Sequence, residues 1–417
     1  MHRPSPSNVL AVVLAGGRGS RLHDLTHGHA KPALPIGTVG RLIDFTLANV
    51  SNSGLRRALV LTQYAPETLH RHLDRSWREA ANGLSLEVLD GNIVGPYTGT
   101  ADAVAKVMDR IDQDDPDHVI VLAGDHLYQM DYQPFIAQHA RSGARVTVGA
   151  IHVPVEEADQ FGVMTADTQG RILNFTEKPA RPGEATDRPG YTLASMGIYV
   201  FDWPLLRQIL TDMTPRHEEL DFGKQILPLL VREGSAFAYA LPGRGQAAPL
   251  WRDLGTLDAY HAVHADLANG AIALDPAWPL PAQRNGNPSL RPAWVEGRLT
   301  WPAHIIGEGA SVGERTVLRN VIVLAGACIG RDAVIENAIV TGDAVIPDGF
   351  RLRKALERGN GWCVTSEGGI HLLSGQAMAR LGRLESSACP SAPQRWNEKQ
   401  PAAPAGYGSM KMLAAPG

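Results

Sequence analysis

The strongest chemical signal in the chain is the run Leu14-Ala15-Gly16-Gly17-Arg18-Gly19-Ser20-Arg21-Leu22. Three glycines let backbone N–H groups turn toward an anion, and two arginines add positive charge. No Gly-Lys-Ser/Thr closes the run, so it is not a Walker A loop. Leu22 stands where a dinucleotide fingerprint needs its third glycine. A triphosphate cradle of another kind is one reading, and a glycine-rich turn with solvated arginines is the other. Three further segments favour the cradle. Lys31-Pro32-Ala33 follows closely and can return an ammonium toward phosphate. Ala123-Gly124-Asp125-His126 follows a strand-like run, and ligands of α/β sheets bind at carboxyl ends of strands. Trp251-Arg252-Asp253-Leu254-Gly255-Thr256 offers a second carboxylate before a helix. Asp125 and Asp253 on opposite walls of one cleft could hold Mg²⁺ against phosphate oxygens. Each could equally be a cap or turn residue, and Asp253 could cap the helix after it.

These residues need a scaffold, and the first ~265 residues supply the alternation of a parallel α/β sheet. Strands are expected at Val9–Ala15, Arg57–Leu61, His118–Ala123, Arg145–His152 and Leu193–Phe201. Helices are expected at Ile43–Ser53, Glu67–Ala80, Pro134–Arg141, Pro204–Leu210, Phe222–Arg232 and Thr256–Ala268. Gly54 ends the first helix in the left-handed conformation. Asp44 reads as a buried partner for backbone, and His126 as a hydrogen-bonded packing residue beside Asp125. From 269 to 303 the chain is rich in Pro, Trp and Asn and reads as an interdomain linker. From 304 to 373 a short repeat takes over: Ile306 to Ala310, Val312 to Thr316, Leu324 to Cys328, Ile329 to Ala333, Val340 to Ala344. Each run opens on an aliphatic residue and closes on a small one, the hexapeptide pattern of a parallel β-helix. A short helix is expected over 374–385, and 386–417 turns to Pro, Ala, Ser and Gly, a loose tail.

Composition narrows the function. The 417 residues carry 39 Lys+Arg against 43 Asp+Glu, a net charge of −4, which disfavours general nucleic-acid binding. The 3 cysteines, Cys328, Cys363 and Cys389, form no CxxC pair and no disulfide framework, so a reducing cytoplasm fits. No apolar stretch approaches the ~18 residues of a membrane-spanning helix. Arg3 followed by Val9–Ala15 superficially resembles a short signal peptide. Its β-branched run into Gly16-Gly17 suits a buried strand entering a loop better. The 15 His show no zinc spacing.

The order LAGGRGSRL (14–22), AKPALPIG (30–37), GTADAV (99–104), LAGDHLY (122–128), FGVM (161–164), EKP (177–179), ASMGIYVF (194–201), DFGK (221–224) and WRDLGT (251–256) resembles the ADP-glucose pyrophosphorylases. These are the glucose-1-phosphate adenylyltransferases of bacterial glycogen synthesis. EKP is shared by many sugar nucleotidyltransferases; GTADAV, ASMGIYVF and WRDLGT together are narrower. The resemblance implies a Rossmann-like sugar nucleotidyltransferase domain at 8–268, a C-terminal left-handed parallel β-helix, and a cytoplasmic homotetramer. It implies Asp125 and Asp253 as the Mg²⁺ carboxylates and Arg21 and Lys31 as the phosphate-contacting pair. Leu14, Ala15, Gly16, Gly17 and Gly19 would cradle the nucleotide, and Gln63, Tyr97, Gly99, Thr100 and Asp102 would form its adenine and ribose region. Glu177, Lys178, Ser195, Tyr199 and Asp221 would form the glucose 1-phosphate pocket, with Lys178 on the sugar phosphate. The substrates would be ATP and glucose 1-phosphate, with phosphorylated-sugar or nucleotide effectors.

The chain departs from that family before Lys31. Two basic positions of the stretch associated with sugar-phosphate activators are Gly28 and His29 here, which predicts weakened or altered activation. Pro96 and Thr98 flank Tyr97 where the family often has Trp and Arg. Three rivals remain: another sugar-1-phosphate nucleotidyltransferase, a catalytically silent regulatory subunit, and a β-helix acyltransferase. For the last, His304, at the edge of the repeat, would be the base.

Overall fold

The computed structural model describes residues 8–37, 39–77, 83–185, 188–243, 249–281, 294–295, 298–299, 305–307, 309–357, 359 and 361–388. A nine-stranded sheet organises the first part of the chain. Its strands are β1 (Val9–Leu14), β2 (Arg57–Thr62), β3 (Ser85–Asp90) and β4 (His118–Ala123). A short strand outside the sheet, β5 (His126–Tyr128), precedes β6 (Val146–Pro154), β7 (Gly162–Ala166), β8 (Ile172–Glu177), β9 (Tyr191–Asp202) and β10 (Ala236–Ala240). The order is β8-β7-β9-β4-β1-β2-β3, with β6 pairing both β9 and β10. Strands β4, β1, β2 and β3 run parallel. Strand β9 is antiparallel to β4, β6 and β7, so the sheet is mixed rather than the parallel one the alternation predicted.

β1 is central and buried on both faces, as its unbroken aliphatic run requires. Ala11 and Val13 enter one hydrophobic core, and Leu10 and Val12 the other. This placement makes the run resembling a signal peptide an interior strand of the sheet. The expected helices stand at Leu42–Asn52, Glu67–Trp77, Tyr132–Ser142, Trp203–Met213 and Leu257–Asn269, with 78–80 outside the described residues. Phe222–Ile226 is a π-helical turn that continues into the α-helix Leu227–Arg232. Gly54 follows the first helix with φ +76°. Asp44 accepts the Arg41 backbone N–H at 2.7 Å, His72 Nε2 at 2.7 Å and Trp77 Nε1 at 2.8 Å, all inside the fold.

Further along, chain segments return in parallel at a 17-residue offset, which lengthens to 33 where Ala338 pairs with His371. Ile305 pairs with Ile322, Val317 with Val334, and Ser311 with Cys328, which pairs with Val345. Leu318, Ile335 and Val323 close a third core inside these turns. This part is not independent of the first. Ile322, Ile339, Ile370 and Leu372 share one core with Leu257 and Tyr260 of the last helix of the first part. His261 Nε2 lies 3.1 Å from the Asn320 carbonyl. The C-terminal helix Gly375–Ala388 outruns the expected end at 385, and 389–417, with Cys389, lie outside the described residues, as do most of the expected linker and His304. Among the described residues no helix is long and apolar enough to cross a membrane.

Candidate active site

The parallel strands end together and open a cleft. Ala15 N–H donates to the Leu61 carbonyl at 2.8 Å and Gly124 N–H to the Leu14 carbonyl at 2.9 Å, tying the ends of β1, β2 and β4. Beyond them, Leu14, Gly16 and Gly17 line an open cleft of about 410 Å³ with Gln63, Tyr97, Gly99, Thr100, Asp125, Tyr199 and Asp221. Gly19 turns the loop at φ +62°, and a Cβ there would stand 3.0 Å from Lys31 Cβ. Only glycine combines that conformation with that approach. Ala15 is buried behind the loop.

The wall at 97–102 is fixed from both sides. Gln63 accepts the Tyr97 backbone N–H through Oε1 and donates to its carbonyl at 3.2 Å. Burial pushes the Tyr97 phenol up to about 12. A Cβ on Gly99 would lie 2.2 Å from the Leu220 carbonyl oxygen, which accepts N–H groups from Ala101 and Asp102 at 3.0 Å each. Thr100 Oγ1 donates to Asp221 Oδ2 at 2.7 Å. Asp102 differs from its neighbours. Its buried carboxylate accepts the Thr98 N–H at 2.8 Å and pairs with Lys106 at 3.0 Å, so its place is in the loop's framework.

Charge converges at the mouth. Strand β11 (Trp251–Asp253) pairs antiparallel with β5, setting Asp253 opposite His126 and beside Asp125. Lys31 Nζ lies 3.0 Å from Asp125 Oδ2 and 2.9 Å from Asp253 Oδ1. Burial works against the Lys31 ammonium, yet the two carboxylates outweigh it and raise its pKa. Burial likewise opposes the Asp125 carboxylate, and Lys31 with His126 overcomes it, lowering the group to about 2. Arg21 reaches Asp253 Oδ2 at 3.9 Å and donates to Gln160 Oε1 at 2.8 Å. His126 Nδ1 donates to the Met196 carbonyl at 3.1 Å, and its ring stacks edge-on with Trp251 at 5.2 Å, the packing role expected of it. Thr256, not Asp253, caps the following helix, accepting the Ala259 N–H at 3.1 Å. Two carboxylates on one cation make an all-oxygen donor set that suits a hard divalent metal.

On the sugar side, Asp221 accepts the N–H groups of Gly223 and Lys224 at 2.8 and 3.2 Å. Glu177 packs beneath that turn, where a Cβ on Gly223 would meet its Oε2 at 2.5 Å. Burial raises the Glu177 carboxyl against the pull of Lys178. Lys178 turns with φ +46°, and its ammonium stands 3.9 Å from Glu177, 62% exposed. Ser195 Oγ accepts the Gly197 N–H at 3.2 Å beside a bulge in β9, and burial pushes the Tyr199 phenol far up. Of the expected residues, Leu14, Gly16, Gly17, Gln63, Tyr97, Gly99, Thr100, Asp125, Tyr199 and Asp221 line the cleft, and Glu177 adjoins it beneath the Asp221–Gly223 turn. Sequence reasoning missed Gln160, which holds Arg21, and Gly197, which lines the cleft. Gln160 adjoins FGVM and Gly197 lies within ASMGIYVF, and those positions were the available signal.

A strand-end glycine loop, two acidic residues on one lysine and a mixed α/β sheet define a nucleotidyl transferase. The family model of that description, Nucleotidyl transferase, matches residues 10–270. The relatives sharpen this. The glucose-1-phosphate adenylyltransferase of Jannaschia sp. (strain CCS1) is 44% identical over 285 residues, covering 65% of this chain and 68% of that protein. That of Rhodopirellula baltica is 41% identical over 342 residues, 77% of this chain and 76% of the relative. Glucose-1-phosphate adenylyltransferase 2 of Alkalilimnicola ehrlichii is 40% identical over 362 residues, 84% of this chain and 85% of the relative. The chain belongs to the glucose-1-phosphate adenylyltransferase family.

Proposed function

We propose that this protein transfers the adenylyl group of ATP to α-D-glucose 1-phosphate, giving ADP-glucose and pyrophosphate for glycogen synthesis. The observation that carries the reading is the meeting of Asp125, Asp253 and Lys31 at the end of the glycine loop. A sugar phosphate has a second pKa near ~6, so its attacking oxygen is already anionic at neutral pH. No general base is needed; the task is alignment and relief of anion–anion repulsion. The phosphate oxygen of the sugar forms a bond to the α-phosphorus of ATP, and the bond to the β-phosphate oxygen breaks in line. Gly16, Gly17 and Gly19 present N–H groups to the triphosphate. Arg21 and Lys31 offset the charge that grows in the transition state. Lys178 holds the sugar phosphate, while Glu177, Ser195 and Asp221 bond sugar hydroxyls. Tyr199 supports that wall. Gln63, Tyr97, Gly99, Thr100 and, through the loop it anchors, Asp102 form the nucleoside side. Mg²⁺ on Asp125 and Asp253 would supply Lewis-acid polarisation of phosphate oxygens and charge neutralisation. One phosphoanhydride replaces another, so the reaction is reversible.

The 17-residue parallel offset of the turns up to Ile346 supports reading 304–373 as a left-handed β-helix after the catalytic domain; a homotetrameric, cytoplasmic enzyme rests on the family resemblance alone. His29 bears on regulation. Burial, then the nearby Arg41 charge, lowers its pKa, so it is neutral at pH 7. A phosphate effector there meets no fixed charge from 28 or 29, and activation by fructose 1,6-bisphosphate should be weak. A large saturable activation, lost on His29→Ala, contradicts this. The catalytic proposal is tested by pyrophosphate release from a panel of ATP, UTP, GTP and dTTP with glucose 1-phosphate. ATP should dominate. Preference for another nucleotide indicates a different sugar nucleotidyltransferase, and no turnover indicates a regulatory subunit.

A further inference from the structure

At the opposite end of β4 from Asp125, three side chains meet that the transfer reaction does not use. His118 opens β4 and is the register partner of Asp202, which closes β9. His118 Nδ1 stands 3.0 Å from Asp202 Oδ1. This nitrogen is shielded from solvent and lacks the alignment of a hydrogen bond to any partner. His139, on the helix Tyr132–Ser142, brings Nε2 to 3.2 Å from the same oxygen. The two imidazoles meet edge to face with centroids 5.0 Å apart. All three candidate donor atoms lie within 4.8 Å of one another, the one such group of three or more among the described residues.

We infer that His118, His139 and Asp202 form a binding site for a transition-metal ion of the zinc class, remote from the catalytic cleft. Donor chemistry selects the metal. Two imidazoles and one carboxylate suit zinc-like ions, whereas Mg²⁺ prefers oxygen alone. Metal–ligand bonds of ~2.0–2.1 Å in a tetrahedron set donors roughly 3.3 Å apart. The two observed imidazole-to-carboxylate distances, 3.0 and 3.2 Å, are close to that spacing. The outer contacts are also suitable. His139 Nδ1 lies 2.8 Å from Thr147 Oγ1, which fixes the ring and leaves Nε2 toward the cluster. Access is open, because Asp202 lines a surface cavity with Asp117 and Arg145. At ~3.3 Å per residue, β4 separates this cluster from Asp125 by roughly 20 Å.

The site would clasp the first and last residues of two paired strands to a helix. A metal-free hydrogen-bonded trio is the competing account. The test uses the full-length protein stripped by a chelator and titrated with Zn²⁺ against a chromogenic competitor. One equivalent should bind tightly, and Co²⁺ in its place should show the intense visible bands of a tetrahedral site. His118→Gln should weaken that equivalent at least tenfold, with the circular dichroism of the folded protein retained. His139 is deeply buried, so His139→Gln is the second variant rather than the first. Asp125→Ala, at the other end of the strand, should keep the equivalent. Failure to bind one equivalent, retention of full affinity in both histidine variants, or its loss in Asp125→Ala would each overturn the assignment.

Discussion

The catalytic sheet and the C-terminal turns both use parallel strands, and they treat charge in opposite ways. In the sheet, strand ends splay into loops that bring Lys31 to Asp253 from 222 residues away. There one buried lysine answers two carboxylates at once, and Arg21 reaches the second of them. In the C-terminal part, charges recur at the 17-residue offset and each is answered by the next turn. Arg315 bonds Asp332 at 2.6 Å, Arg331 bonds Asp348 at 2.9 Å, and Arg319 meets Glu336. Asn320 donates to Asn337 at 2.8 Å in the same register. Paired surface charges fix register and do little else. Concentrated, desolvated charges create a field that can act on a triphosphate. The two regions are coupled, because Ser374 Oγ donates to Asp24 Oδ2 at 2.7 Å and Arg380 reaches the same oxygen at 3.4 Å, just beyond the glycine loop.

If that contrast holds, substitutions in the two regions should separate activity from stability. Asp253→Ala removes a carboxylate from Lys31 and from Arg21, and turnover should fall by about 10³ or more with the fold intact. Activity within tenfold of wild type, with normal circular dichroism, breaks the contrast on its catalytic side. Lys31→Ala should cost ~10²–10³ in kcat/KM, read by steady-state kinetics. Ile335→Ala, at a fully buried position in the C-terminal turns, should cost ~2–5 kcal/mol of stability in denaturant titrations. Activity per folded molecule should be kept.

His264 sharpens the comparison at the seam. It accepts the Gly37 N–H at 3.0 Å and donates to the Tyr260 carbonyl at 2.8 Å, so it joins the Lys31 segment to the last helix as a neutral ring. Burial lowers it to about 4. The unfolded chain therefore takes up this proton first as pH falls through its ordinary value near ~6.5. Stability present above that pH is lost toward pH 4 at roughly 1.4 kcal/mol per unit, about 3 kcal/mol in all. Urea titrations from pH 7 to 4.5 should show the slope, and His264→Gln should flatten it; an unchanged slope assigns the effect elsewhere. Arg315→Ala is the smallest change: neither the thermal midpoint nor turnover should move appreciably.

Much of this was legible in the sequence. The unbroken run in β1, the left-handed Gly54 and the C-terminal repeat announced themselves locally. So did the site motifs, whose resemblance to the family put Asp125, Asp253 and Lys31 in one cleft. What escaped depended on distant partners. β11 is three residues long and exists only through pairing with β5. β3 is a half-buried edge strand without clean alternation. The antiparallel return of β9 has no local mark that separates it from a parallel strand. Gln160 holds Arg21 across 139 residues, beyond any local pattern. The shared core of Ile322 and Ile339 with Tyr260 was hidden for the same reason, so the linker reading made the two parts seem more separate than they are.

The central claim is that adenylyl transfer occurs where Asp125 faces Lys31. It is tested most directly by following ADP-glucose and pyrophosphate from ATP, glucose 1-phosphate and Mg²⁺ with the wild-type protein and folded Asp125→Ala. Equimolar products are expected from the wild type and almost none from the variant. Near-normal Mg²⁺-dependent release by Asp125→Ala would contradict it.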